Sequence, residues 1–220
     1  MFTRSTEDYL KHIFELQQEG SKVNTSTLAG VLNISSASVS EMISKLTKTG
    51  WIKNIPYRGF SLTKKGEKIA INLIRKHRLI EVFLQQHLSY SWDEVHNEAE
   101  KFEHVCSDKF INKLDEYLGF PRFDPHGDPI PDINGHVTDT ENFILSEARA
   151  GSAYIVSKVN DTSDEVLKYI SSIGIKLNSI ILVTEKLGFD ESILVTLNNG
   201  EYLLSKKIAE NIFVEEIGKQ

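Results

Sequence analysis

Apolar positions recur along the chain with two different periods, and the change of period divides it. In EDYLKHIFELQQ, from Glu7 to Gln18, Tyr9, Leu10, Ile13, Phe14 and Leu16 fall on one stripe, which predicts an amphipathic helix ended by Gly20. VNTSTLAGVLNISSASVSEMISKLTKTGWI carries two shorter stripes, one of Leu28, Ala29 and Leu32 and one of Val39, Ile43 and Leu46. Asn24 or Thr25 can cap the first and Ser35 or Ser36 the second, with the turn at Asn33 and Ile34. WIKNIPYRGFSL then reads as two short strands turning near Tyr57, Arg58 and Gly59, and TKKGEKIA opens another helix. Helix, helix, helix, hairpin, helix is the order of a winged helix-turn-helix unit.

A long helix is predicted from Lys65 through Ile69, Ile71, Leu73 and Ile74 into RKHRLIEVFLQQHL, with a break near Ser89. Asp93 and Glu94 favour a fresh helix start, and a single helix bearing Val95, Ala99, Phe102, Val105, Phe110, Ile111, Leu114 and Leu118 should run to Gly119. This is more apolar surface than two helices can bury against each other. A second copy of the chain is the natural cover, which for a DNA-binding unit means a two-fold homodimer on a near-palindrome. FPRFDPHGDPIPDINGHVTDTENFIL has no periodicity and reads as a connection. From about Ala148 the period falls to two: short β-rich runs, an NNG turn at Asn198 to Gly200 and one brief helix at Asp164 to Ile173 predict a small β-barrel.

Charge sharpens this division. The 220 residues carry a net charge of −6, but residues 1–78 hold 13 Lys or Arg against 6 Asp or Glu, and the remainder 12 against 25. A nucleic-acid surface therefore belongs at the amino-terminal end. There the second helix of the motif presents Ser36, Ala37, Ser38, Ser40, Glu41 and Lys45, small polar groups able to approach base edges and phosphates. Arg58 at the wing tip, Lys64 and Lys65 would meet backbone phosphates. No run approaches the ~20 apolar residues that span a bilayer, and MFTRSTEDYLK lacks the apolar core of a signal peptide, so the expectation is a cytoplasmic protein with no membrane partner. The single cysteine, Cys106, excludes an internal disulfide or thiolate cluster.

The densest chemistry lies between His77 and His104. Glu100, Glu103 and His104 follow His96 at helical steps, and His77 and Glu81 make a four-residue pair upstream, so two helices offer nitrogen and oxygen ligands to a common metal. Such donors suit Mn, Fe or Zn better than a thiophilic ion. In the connection, Asp124 and His126 flank Pro125, whose fixed φ would hold their spacing as loop-borne ligands. An enzyme is not expected: HExxH is absent, no nucleophile stands beside a base, and no small-molecule substrate position is evident.

EDYLKHIFEL, RKHRLIEVFL, HNEAEKFEHVCSD and FPRFDPHGDPIP together resemble the iron- and manganese-dependent transcriptional repressors of the diphtheria-toxin-repressor type, in the longer form with a C-terminal SH3-like (FeoA-like) domain. The resemblance covers the full length. It implies a mainly α fold with small β parts: a winged helix-turn-helix domain over 1–72, a helical metal-binding and dimerisation domain over 73–140, and an SH3-like β-barrel over 148–217. It also implies a primary metal site of Asp8, His77, Glu100, Glu103 and His104. A secondary site would draw on Glu81, Asp124, His126 and Asp161, with His96 a further candidate. The DNA-contacting set becomes Ser35, Ser36, Ala37, Ser38, Ser40, Glu41, Lys45, Arg58 and Lys64.

Iron-selective relatives place methionine where this chain has Asp8 and cysteine where it has Glu100, so an all-N,O site points to Mn2+ as effector. Fe2+ is the alternative, and Zn2+ or Cd2+ could enter in vitro. The function implied is metal-dependent repression, in which Mn2+ or Fe2+ orders the dimer for binding to double-stranded palindromic operators of metal-uptake genes. The rival is a winged-helix regulator answering to Fe2+, Zn2+ or a small-molecule effector instead.

Overall fold

The structure, a computed structural model, describes residues 3–55, 59–161, 163–198 and 200–217. Its elements are α1 (Arg4–Gln18), α2 (Thr25–Val31), α3 (Ser36–Lys48), β1 (Ile52–Ile55), β2 (Gly59–Leu62), α4 (Lys64–Leu88), α5 (Trp92–Phe102) and α6 (Asp108–Tyr117). There follow β3 (Phe143–Ile144), β4 (Ser152–Val159), α7 (Asp164–Ser172), β5 (Ile180–Lys186), β6 (Ile193–Leu197), β7 (Gly200–Leu204), α8 (Lys206–Ala209) and β8 (Ile212–Glu216). The chain divides into two compact units: Met1–His77 with Lys101–Asn112 and Pro131–His136, and Arg78–Glu100 with Lys113–Ile130 and Val137–Gln220.

In the first unit local caps set the helix starts. Thr3 accepts from the Thr6 amide, so α1 begins at Arg4, ahead of the predicted Glu7. Asn24 caps α2 through the Thr27 amide at 3.0 Å, and Ser35 caps α3 through the Ser38 amide at 3.1 Å. The predicted stripes meet in one core, where Leu10, Ile13, Leu28, Val39 and Leu46 pack with Ile52, Phe60, Leu62 and Ala70. β1 and β2 pair antiparallel, Ile52 opposite Leu62 and Ile55 opposite Gly59. Gly59 is required: at φ +100° a Cβ there would lie 2.0 Å from the Val23 carbonyl oxygen, on which the Phe60 amide also docks. The wing tip, with the predicted phosphate contact Arg58, lies outside the described residues.

One helix predicted to run from Asp93 to Gly119 is two. α5 stops at Phe102, whose carbonyl takes the amides of both Val105 and Cys106, and Ser107 caps the start of α6 through the Phe110 amide. Glu103 and His104 thus stand in a turn, not on the helix face of His96 and Glu100.

In the second unit the expected C-terminal barrel is corrected. The six strands form an open sheet in the order β3-β8-β4-β5-β6-β7, and its end strands β3 and β7 are not bonded to each other. Closure needs a ladder between end strands, but β3 is two residues long and pairs only with β8 among the described residues. Register shifts between Val156 and Lys158 and between Val183 and Glu185 bend the sheet. Its apolar face, with Tyr154, Val156, Ile181, Val183, Val195 and Val214, is covered by Leu167 and Ile170 of α7 and by Leu145, so a helix does what barrel closure was expected to do. Among the described residues no helix is long and apolar enough to cross a membrane.

Candidate metal centres

The first unit gathers Asp8 of α1 with Glu103 and His104 of the turn after α5, one donor atom from each within 4.8 Å of the others. The His104 ring is aimed by its partners. Nδ1 lies 2.7 Å from Glu7 Oε2, while Nε2 faces Asp8 Oδ1 at 2.9 Å and Glu103 Oε1 at 3.4 Å. A proton on Nδ1 donated to Glu7 leaves the Nε2 lone pair directed at the two carboxylates, the arrangement in which a carboxylate orients a metal-binding histidine. Glu7 was missed in the sequence, although it stands beside Asp8 on the helix.

A second group missed in the sequence is Lys11. Its buried ammonium lies 3.2 and 3.1 Å from the two oxygens of Glu103 and 3.3 Å from His77 Nδ1, and that nitrogen is 2.5 Å from Glu103 Oε2. Burial would raise the Glu103 carboxyl, but the hydrogen bond from His77 and the charge of Lys11 outweigh it and hold Glu103 below its ordinary range. Asp8 is held up by burial, against the lowering charges of His104 and Arg4. Both Glu103 oxygens therefore already face a fixed cation, and Oε1 is shared between Lys11 and His104. The available signal was spacing: Lys11 follows Asp8 by three on a helix, hence on the same face.

The second unit brings Glu81 of α4 together with Asp124 and His126 of the Pro-rich connection, again with donor atoms within 4.8 Å. All three are buried. His126 Nε2 lies 2.7 Å from the Trp92 carbonyl, so it must carry a proton to donate there. In the neutral ring Nδ1 then holds the lone pair, and this buried atom has no hydrogen-bond partner. It faces Glu81 Oε1 at 3.9 Å and Asp161 Oδ2 at 4.0 Å. A buried lone pair directed at two carboxylates fits a metal ion, since an unbonded buried acceptor is otherwise a cost without return.

Asp124 Oδ1 accepts the amides of His126 at 2.8 Å and Asp128 at 2.9 Å, a tight turn around Pro125. Burial, with the charges of Glu81 and Asp128, holds its carboxyl well above the ordinary value, and Arg78 opposes them.

His96 belongs to this neighbourhood: Nδ1 is 3.1 Å from Asp161 Oδ2 and 3.7 Å from Glu81 Oε1, and Nε2 is 3.7 Å from Glu100 Oε1. Burial would lower its pKa, but the hydrogen bonds and charges of Asp161 and Glu81 prevail and raise it to about 10. Of the sequence-predicted ligands, Asp8, His77, Glu103 and His104 belong to the first unit. Glu81, His96, Glu100, Asp124, His126 and Asp161 lie in the second.

On α3, Val39, Ile43 and Leu46 point into the core, leaving Ser35, Ser36, Ala37, Ser38, Ser40, Glu41 and Lys45 exposed, as is Lys64 on α4. Ser40 donates to the Ser36 carbonyl at 2.9 Å, and Glu41 pairs with Lys45 at 2.7 Å. The hydrogen bond and charge of Lys45 hold Glu41 below its ordinary range, so its repulsion of a phosphate is partly cancelled within the helix.

Three family models match the chain in succession. The iron dependent repressor N-terminal DNA binding domain matches residues 1–60, the iron dependent repressor metal binding and dimerisation domain residues 63–132, and the FeoA domain residues 144–216. Among curated relatives, the iron-dependent repressor IdeR of Mycobacterium tuberculosis is 36% identical over 129 residues, 59% of this chain and 56% of that protein, so the match spans about half of it. The diphtheria toxin repressor of Corynebacterium efficiens is 28% identical over 97% of this chain and 96% of its own length. Among solved structures, a manganese-dependent transcriptional repressor in complex with manganese is 36% identical with a TM-score of 0.90, over 96% of this chain and 100% of that one. ScaR with bound Cd2+ is 35% identical with a TM-score of 0.83, over 96% and 99% respectively.

Proposed function

The chain belongs to the iron-dependent repressor family of metal-dependent transcriptional regulators, and from that premise we propose that it is a manganese-activated repressor acting as a homodimer on palindromic DNA. The observation that carries the choice of metal is the donor set. Among the described residues, each candidate cluster is built from His, Asp and Glu alone, without a sulfur donor. Such sites give no advantage to thiophilic ions and suit Mn2+, with Fe2+ the alternative. Relatives solved with manganese, with Cd2+ and with Zn2+ support this reading.

Asp8, Glu103 and His104 would hold the ion at the first centre, with His77 beside them, and Glu81, Asp124, His126 and Asp161 would hold one at the second. Glu100 is kept as a proposed ligand on the family resemblance. A bound divalent cation supplies the positive charge that offsets the grouped carboxylates. Asp8 belongs to the helix that packs under the recognition helix α3, whereas Glu103 and His104 belong to the turn after α5. Drawing these donors to one point holds α1 against that turn, and the DNA-competent arrangement is then populated before operator is met. Linkage requires the reverse as well: operator should tighten metal binding by the same factor.

A mobility-shift titration tests this. Chelation should abolish specific operator binding and Mn2+ restore it, while Asp8→Ala loses the stimulation and remains dimeric by sedimentation. Specific binding that survives chelation, or Asp8→Ala that responds to Mn2+ as wild type does, would sink the proposal.

A further inference from the structure

Arg78 is a ligand in neither centre, yet the loop of the second centre hangs on it. Its Nη1 donates to the Pro129 carbonyl at 2.6 Å, Nη2 donates to Asp128 Oδ1 at 3.1 Å, and Nε lies 3.5 Å from Asp124 Oδ2. These contacts bracket His126 in the sequence. Arg78 also precedes Glu81 by three residues on α4, so one turn of rigid helix carries both the clamp and a donor.

The other side of the loop is held by the sheet. Lys158 of β4 donates to the same Asp128 Oδ1 at 2.8 Å, and the Val159 amide donates to the His126 carbonyl at 2.8 Å. Gly127 lets the two backbones meet: at φ +93° a Cβ would lie 2.1 Å from the Ser157 carbonyl oxygen. Asp161 follows Lys158 by three residues. One Asp128 carboxylate therefore joins a cation on the helix that bears Glu81 to a cation on the strand that leads to Asp161.

We propose that Arg78 is a positioning residue for the second metal centre: with Lys158, and through Asp128, it keeps Asp124 and His126 in register with Glu81 and Asp161. The proposal rests on reading that centre as a metal site. A guanidinium is needed because its planar fork meets three acceptors at once, whereas an ammonium on a flexible stem is a single point charge.

The test uses the full-length protein with Trp51→Phe, which leaves Trp92 as its one tryptophan, and Mn2+ binding followed by tryptophan emission. The Trp92 ring stacks on that of His126, with centroids 6.4 Å apart and planes at 23°, so paramagnetic Mn2+ bound there should quench it. Arg78→Lys keeps the charge and removes the fork, and Asp128→Asn removes the bridge. Each should weaken Mn2+ binding at the second centre by about tenfold or more, the range for partners that orient metal ligands. The double variant should be weaker than the worse single one by less than the product of the two effects, because both changes remove the Arg78–Asp128 contact. Wild-type affinity in both single variants, even with lower melting temperatures under chelation, would show that Arg78 only stabilises the fold and would overturn the proposal. If Mn2+ leaves Trp92 emission of the Trp51→Phe protein unchanged while an electron paramagnetic resonance count shows the first centre filled, the reading of the second centre fails, and the proposal falls with it.

Discussion

Replacing His96 by glutamine should change both the proton balance and the pH dependence of metal binding at the second centre. The ring sits between Asp161 and Glu81, whose hydrogen bonds and charges outweigh the effect of burial and hold its pKa at about 10. At pH 7.5 it is therefore an imidazolium facing carboxylates that a metal at the proposed centre would also need. Deprotonating such a group well below its raised pKa costs a few kcal/mol, on the order of a hundredfold in apparent affinity.

Wild-type affinity should accordingly rise by at least about tenfold per pH unit between pH 6.5 and 8.5, and more steeply than that of His96→Gln. Calorimetry in two buffers of different ionisation enthalpy should show His96→Gln releasing about one proton fewer per ion than wild type. The comparison is a difference because Asp124, also held up by burial, can contribute a proton in both proteins. The same shift governs stability under chelation. Since the folded pKa lies above the ordinary 6.5, the His96 contribution is fully present below pH 6.5 and disappears as pH rises through about 10. Wild type should therefore exceed His96→Gln in stability at pH 6.5, and the two should converge toward pH 10. Equal proton release by the two proteins would refute the reasoning.

Two further outcomes follow from the first centre and from Glu100. Lys11→Met removes the buried ammonium between Glu103 and His77, and breaking a buried pair from one side costs ~3–5 kcal/mol. Calorimetric melting under chelation should fall clearly, with part of the loss restored by saturating Mn2+; an unchanged melting temperature would contradict the assigned role. Glu100→Cys should shift the order of affinities toward Fe2+, Zn2+ and Cd2+. An unchanged rank order by calorimetry would mean that ligand softness does not set selectivity.

The amino-terminal half was legible because its determinants are local. The stripe of Leu10 and Ile13 and the caps Asn24 and Ser35 act across a few residues, and each leaves its mark in the order of side chains. The break after Phe102 was less visible, since the apolar stripe continues across it and only the Ser107 cap signals a new helix. That break places Glu103 and His104 in a turn instead of on the helix.

Alternation likewise announced the carboxy-terminal strands, but whether their sheet closes depends on how its ends meet and on what covers its core, and α7 supplies that cover. His104 meets Glu7 across 97 positions and Lys11 meets Glu103 across 92. By itself, then, the sequence determined most of the helices, the strands and the kinds of donor available, through interactions that span a turn or two of chain. Only the tertiary structure decided which of these side chains lie together, that a lysine stands beside Glu103, and that the sheet stays open. Each of these depends on contacts between segments far apart, whose side chains carry no periodic trace of one another.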